Sequence, residues 1–409
     1  MTRWAEIRSV TRLPAFGLLA ASTAWLGLTV SFTRPYIPLY ATRVLKMTPL
    51  ELGAFMAATS LGSVALGAAL GKLSDTRWPR KPILLGATLS AMAGYFGYLV
   101  LRSYGLLVLA SGVFFGLAGA IFPQLFAYAR DRVADFPPDT ATRYTTVLRA
   151  IFSLAWVVGP LVGAELLALA GFRGLITSTI MAYGGLALII GLGFRSDVVP
   201  RAPLPRDGPR PARIGAYPRG TFLAAAALTG FFVTNTMYSI ALPLFVENLL
   251  KGTPREVGLL FAVSALAEVP LMLGLPWLAN AVGPTALLRG AALLAAVYYG
   301  VVALSHGLVP ILFVQAVYAA TVAVFMSVGM SWFQERGPGA AGQMTTLYAN
   351  TTYLGSLGGS LGVGVIGEVA GLRGVFWAAM ALALGATLLL WAVPRSRRSR
   401  VGSPTGIGR

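Results

Sequence analysis

The chain contains no cysteine and a single histidine, His306. Without cysteine there is neither a disulfide framework nor a thiolate metal site. With the one histidine in a loop between apolar segments, a histidine proton relay inside a membrane is excluded. Charge is scarce as well: Asp, Glu, Lys and Arg make up 11% of the residues, against 56% apolar ones. A soluble enzyme carries far more charge, so that class is excluded. No phosphate-cradling glycine loop, no paired metal ligands and no Ser-His-Asp set is present. No catalytic residue, cofactor or metal is therefore expected.

Acids are the rarer charges, 14 against 32 Lys and Arg, which leaves a net charge of +18. That excess would suit a nucleic acid if it lay on one surface. Instead the basic residues collect in alternate loops, which is membrane topology, so no nucleic-acid partner is expected. The start, MTRWAEIRSVTR, is basic, but the apolar run after it is too long for a signal-peptide core and has no cleavage site. It reads as a retained first span.

What the sequence does have is long apolar runs. Twelve are marked, each long enough for a bilayer: Leu13–Ala41, Pro49–Lys72, Pro82–Leu101, Tyr104–Ala129, Thr140–Leu169, Leu175–Phe194, Thr221–Leu250, Pro254–Ala279, Thr285–Leu304, Leu308–Phe333, Ala340–Val369 and Leu372–Val393. The expected fold is an all-α membrane protein of twelve transmembrane helices in two pseudo-symmetric six-helix bundles. Residues 1–194 form the first bundle, 195–219 an arginine- and proline-rich cytoplasmic linker, 220–394 the second bundle and 395–409 a basic cytoplasmic tail. With both termini on one side, that side holds Arg3, Arg8, Arg12, Lys72, Arg77, Arg80, Lys81, Arg130, Arg132, Arg143 and Arg336, with the linker and tail arginines. The other side holds mainly Arg43, Lys46, Arg102, Arg173, Lys251, Arg255 and Arg373. The bias places both termini in the cytoplasm of a multi-pass protein of a bacterial cytoplasmic membrane.

The two halves repeat each other. Thr145-Thr146 falls on Thr345-Thr346, Gly159 on Gly359, and Ala170-Gly171-Phe172-Arg173-Gly174 on Ala370-Gly371-Leu372-Arg373-Gly374. Thr48-Pro49-Leu50-Glu51-Leu52-Gly53 likewise matches Thr253-Pro254-Arg255-Glu256-Val257-Gly258. Internal duplication of spans is common in secondary transporters. The fifth span, TTVLRAIFSLAWVVGPLVG, combines one cation, Arg149, with Gly159, Pro160 and Gly163. Proline removes a backbone hydrogen bond and glycine lets a neighbour approach, so this helix is expected to be a moving part.

Between the second and third spans lies Gly71-Lys72-Leu73-Ser74-Asp75-Thr76-Arg77-Trp78-Pro79-Arg80-Lys81. It resembles the signature of the major facilitator superfamily, and Gly159-Pro160-Leu161-Val162-Gly163 resembles the fifth-helix motif of that superfamily's antiporters. Gly71, Asp75, Arg77, Arg80, Gly159, Pro160 and Gly163 are thus expected to gate. In the second half only Asn280 stands at the place of Asp75. Pro123-Gln124-Leu125-Phe126-Ala127-Tyr128-Ala129-Arg130, Leu148-Arg149, Asn235-Thr236-Met237-Tyr238, Glu268-Val269-Pro270 and Trp332-Phe333-Gln334 resemble the bacterial sugar efflux transporter family. The resemblance implies export of a sugar or glycoside against proton entry, by a protein expected to be a monomer in the lipid bilayer. Leu107 to Gln124 carries no arginine, which departs from drug antiporters.

Charged and polar residues inside spans are the expected site. Arg34, Arg149, Trp156, Asn235, Tyr238, Glu268, Gln315, Asn350 and Tyr353 are the candidate substrate residues. Sugars call for amides and carboxylates against hydroxyls and for aromatic faces against C–H surfaces; a single Asn or Gln also serves as glue between helices. Glu268 is the candidate proton carrier, with a bridge to Arg149 as its plainer role. A multidrug antiporter is the close alternative. A membrane-embedded enzyme or a transport-dead sensor belongs to other classes.

Overall fold

The structure, a computed structural model, describes residue 11 and residues 13–76, 78–195, 220–337 and 341–394. Most of the expected linker, the whole of the expected tail, and Arg77 lie outside the described residues, as does the side chain of Asp75.

A long apolar run satisfies its backbone polar groups internally by coiling into helix. The described chain is accordingly helical throughout: α1 Phe16–Arg43, α2 Pro49–Thr76, α3 Arg80–Val100, α4 Tyr104–Arg132, α5 Pro138–Gly193, α6 Thr221–Leu249, α7 Pro254–Val282, α8 Pro284–Leu304, α9 Leu308–Gln334 and α10 Ala341–Ala392. Among the described residues, nine helices are long and apolar enough to cross a membrane. α5 and α10 are each two helices folded at one glycine, Gly171 at φ 63° and Gly371 at φ 68°. Both are left-handed values that favour glycine, and both glycines belong to the repeated Ala-Gly-x-Arg-Gly segment.

The repeat reaches the helix caps. Thr253 accepts from the backbone N–H of Glu256, and the Glu256 carboxylate accepts from the Thr253 N–H at 2.6 Å. Thr48 and Glu51 make the same reciprocal pair at 3.2 and 2.9 Å. Such a box satisfies two N–H groups that a helix start leaves open, with Pro49 and Pro254 at the first helical position where no donor is needed. Lys46 and Lys251, each two residues ahead of its cap, share φ 58°.

Within each half the long central helices pack on small residues. Gly159 of α5 meets Ser31 of α1 and Gly163 meets Phe32; Gly355 and Gly359 of α10 meet Phe232 and Thr236 of α6. Between the halves, α2 meets α10 where Gly53 faces Gly364, and α5 meets α7 where Gly258 faces the Pro160 carbonyl. One apolar core runs continuously from the first half into the parts of α6, α7 and α10 farther from the linker. A second is confined to the linker end of the second half, around Phe231, Phe325, Phe333 and Tyr348. Leu169, Leu192, Phe313 and Val369 stand almost fully exposed, as lipid-facing residues do.

Candidate functional site

The halves are closed on each other at the end opposite the linker. There Arg43 at the end of α1 pairs with the buried Glu247 at the end of α6. Arg255 pairs with Glu165 at 2.7 Å, and the Leu50 N–H donates to Glu368 at 3.3 Å. The Tyr36 hydroxyl donates to the carbonyls of Pro160 at 2.5 Å and Pro254 at 3.3 Å. Halfway along, Ser60 and Ser356 meet at 2.9 Å. Toward the linker end Arg149, Asn350 and Tyr353 are exposed, and Gly71 has no neighbour within 4 Å of a Cβ position.

Beneath the closed end lies a cavity of about 630 Å³ between the halves. It is lined from both: Arg34, Thr59, Ser60, Ser63, Tyr95, Tyr98, Phe115, Phe152, Ser153 and Trp156 from the first, Asn235, Tyr238, Phe261, Ser264, Glu268, Tyr318, Ser356 and Ser360 from the second. Three local irregularities shape it. The Arg34–Tyr36 turn of 3₁₀ helix interrupts α1. π-helical stretches at Ser111–Phe115 in α4 and Val324–Val328 in α9 put Phe115 and Met326 on its wall. π-bulges recur at functional sites because they turn side chains off the regular face.

Five of the nine residues expected to bind substrate line this one cavity: Arg34, Trp156, Asn235, Tyr238 and Glu268. Gln315 stands one layer behind. Its side chain accepts from the Tyr238 hydroxyl at 3.4 Å and donates to Tyr298 at 3.2 Å, while Tyr318 donates to Asn235 at 2.6 Å. Arg149, Asn350 and Tyr353 are not on the cavity wall. The Arg149 guanidinium lies 5.8 Å from the Phe126 ring and makes no ion pair with Glu268 in this state. Glu268 faces the cavity without a hydrogen-bond or ion-pair partner among the described residues. Thr59, Ser60 and Ser63 of α2 and Tyr95 and Tyr98 of α3 escaped the sequence reading. Their spacing of three and four residues, which sets one polar stripe on each helix, is the signal that marks them.

The expected gating residues separate. Backbone torsions stay helical through Pro160, and the break in α5 is at Gly171. Gly159 and Gly163 pack against α1, while the Pro160 carbonyl accepts from the Tyr36 hydroxyl. Arg80 is buried, pairs with Asp131 at 2.5 Å and donates to Gln124 at 3.2 Å. It clamps α3 to α4 within the first half.

Comparison with known proteins agrees with this architecture. Residues 18–356 and 223–408 match the family model of the Major Facilitator Superfamily. The chain is 36% identical over 394 residues to a Deinococcus radiodurans protein named "Putative sugar efflux transporter", covering 94% of this chain and 99% of that one. It is 28% identical over 399 residues to Sugar efflux transporter A of Dickeya chrysanthemi, covering 94% and 98%. Among solved structures, that of the nucleoside transporter NupG superposes with a TM-score of 0.71 at 13% identity, covering 93% of this chain and 99% of that one. The all-helical architecture is thus that of a solved transporter fold, and the chain belongs to the Major Facilitator Superfamily, in the branch whose members carry the name sugar efflux transporter.

Proposed function

We propose that the chain exports a sugar or glycoside from the cytoplasm by alternating access, coupled to proton entry, as a monomer. The observation that carries this reading is the cavity between the halves, closed at one end and furnished with hydroxyls, an amide, a carboxylate, a guanidinium and aromatic faces. Those groups suit the hydroxyls and C–H faces of a sugar ring. The positive bias of the linker-side loops puts that side, with both termini, in the cytoplasm, so the closed end faces outward. Rocking of residues 1–194 against 220–394 would break the outer contacts and close the linker end. Gly71 and the backbone of Asp75 belong to the last two turns of α2 at that end, while the expected gating role of Arg77 falls outside the described residues.

Glu268 is the proton carrier of this scheme. A carboxylate at this depth without a cation is costly when ionised, so it is neutral or hydrated in the open cavity. The titratable and charged groups sharing its cavity are Arg34, Tyr95, Tyr98, Tyr238 and Tyr318. Reconstituted protein should take up glycoside into liposomes against its gradient when the lumen is acidic. Glu268→Gln should bind sugar and exchange it, yet lose accumulation driven by the pH gradient. Unchanged uphill transport with normal pH dependence in that variant would refute the proton role. Absence of sugar flux in wild type would refute the reading as a whole.

One observation favours a second reading. Tyr95, Tyr98, Phe115, Phe152, Trp156, Tyr238, Phe261 and Tyr318 line the cavity beside a single amide, Asn235. Such a wall suits an amphiphilic cargo, either a glycoside with an apolar aglycone or a drug. A thermal-shift panel of plain sugars, aryl glycosides and cationic drugs separates these, because an antiporter of drugs would be stabilised by the last group alone.

A further inference from the structure

We infer that the cargo is an acidic sugar, one bearing a carboxylate or phosphate, and that Arg34 holds its anionic group; the inference rests on reading the cavity as a sugar site. Arg34 sits on the 3₁₀ turn that interrupts α1, is solvent-exposed, and lines the cavity. Among the described residues it is the only cation on that wall. Several other arginines of the described spans have partners: Arg43 has Glu247, Arg80 has Asp131, Arg255 has Glu165, and Arg373 has the carbonyls of Ala303 and Ser305; Arg149, without an ion pair, is exposed and off the cavity wall. Among the described residues the Arg34 guanidinium has no ion pair or side-chain hydrogen bond.

A guanidinium cannot shed its proton when a cargo displaces the water that hydrates it. Inside a membrane an unpaired one is expensive, and it persists where a pathway or ligand uses it. The cavity's one carboxylate, Glu268, belongs to α7 of the other half and makes no bond to Arg34. A neutral sugar would give Arg34 hydroxyl contacts and leave the charge uncompensated. An anion compensates it, through the forked hydrogen bonds that guanidinium makes with carboxylate or phosphate. A second donor is in place. Tyr95 lines the same wall within electrostatic reach of Arg34, and its hydroxyl makes no hydrogen bond. Glu268 across the cavity acts against an anion when ionised and not when protonated, so the arrival of an acidic cargo and of a proton are linked through the same space.

The test uses the purified full chain in nanodiscs, titrated with methyl glucoside, glucuronate and glucose 6-phosphate. At least one of the two anions should bind about ten to a hundred times more tightly than the neutral glycoside, the range of a hydrogen bond to a charged group. The preference should shrink as ionic strength rises. Whether glucuronate or glucose 6-phosphate gains more tells carboxylate from phosphate. In Arg34→Gln the ratio of anion to glycoside affinity should fall to near one, and in Arg34→Lys part of it should survive. A wild-type ratio near one overturns the inference while leaving the sugar reading intact. So does an undiminished ratio in Arg34→Gln. Binding of none of the three probes overturns both.

Discussion

The closed end can be opened by removing one charge. Arg43 and Glu247 join the last turn of α1 to the last turn of α6, one from each half. Their exposure is unequal: the Glu247 side chain is 2% accessible and that of Arg43 is 50%. Removing one partner of a fully buried pair costs about 3–5 kcal/mol, because the other charge is left uncompensated. Water reaches half of Arg43 and would replace some of what is lost, so we expect about 2 kcal/mol for Arg43→Ala in the closed state. That penalty disappears once the end opens and Glu247 is hydrated. At about 1.4 kcal/mol per factor of ten, the equilibrium should move roughly thirtyfold toward the state open at this end. Glu247→Gln should do less, since it leaves behind a cation that water already reaches. Replacing both with apolar residues, Arg43→Met with Glu247→Leu, should restore closure, because a buried pair and a packed apolar pair are often close in energy. Spin-label distances between α1 and α6 in nanodiscs read this directly. A wild-type distribution in Arg43→Ala would refute the argument, and so would a double variant as open as the single one.

Three further outcomes follow from the same geometry. Gly53→Val should disfavour closure of the end opposite the linker without unfolding either half, since its added atoms meet the Gly364 backbone across the interface; accessibility of a cysteine placed at Ser60 should rise from that end. Gly163→Val should instead destabilise both states, because its clash with the Phe32 carbonyl is inside the first half, and overpacking of this kind costs about 1–3 kcal/mol, visible as a lowered Tm. Arg80→Ala should leave Asp131 without its cation and lower the Tm, with Asp131→Asn compensating part of the loss, whereas a purely gating role would leave the Tm alone.

Much of the fold was legible because a membrane restricts the choices. Long apolar runs have to coil, and the repeat of Thr-Pro-x-Glu and Ala-Gly-x-Arg-Gly marked equivalent points in the two halves. Those segments became paired helix caps and paired left-handed glycines. What the reading could not supply was the partner of each charge. Arg80 was expected among gating residues at the motif loop, and it pairs with Asp131, fifty-one residues along the chain. Glu247, Glu165 and Glu368 are unremarkable in sequence, and each becomes a contact between halves only when the two bundles meet. Spacing along one helix predicts which residues share a face; it carries no information about which helix stands opposite.

The site shows the same limit in a second form, as depth. On α5, Arg149, Ser153 and Trp156 share a face, and the cavity takes Ser153 and Trp156 but not Arg149. On α10, Asn350 and Tyr353 share a face, and the cavity takes Ser356 and Ser360, one to two turns further from the linker. In both helices the cavity-lining residues continue the face of the candidate residues, and Arg149, Asn350 and Tyr353 lie nearer the linker end than the cavity wall. The reason is physical. Polar chemistry draws attention to the largest side chains, and those near the linker end can be long and charged because water reaches them there. Deeper down, where the halves touch, the outer parts of α5 and α10 must stay narrow to let α1 and α6 approach, so polarity is carried by serines. The signal for the site was the small hydroxyls opposite Arg34 and Glu268. Arg34 and Glu268 line the same cavity as those hydroxyls, with aromatic rings and Asn235 beside them, and the proposed proton at Glu268 and anion at Arg34 stand or fall on the Glu268→Gln and Arg34→Gln experiments.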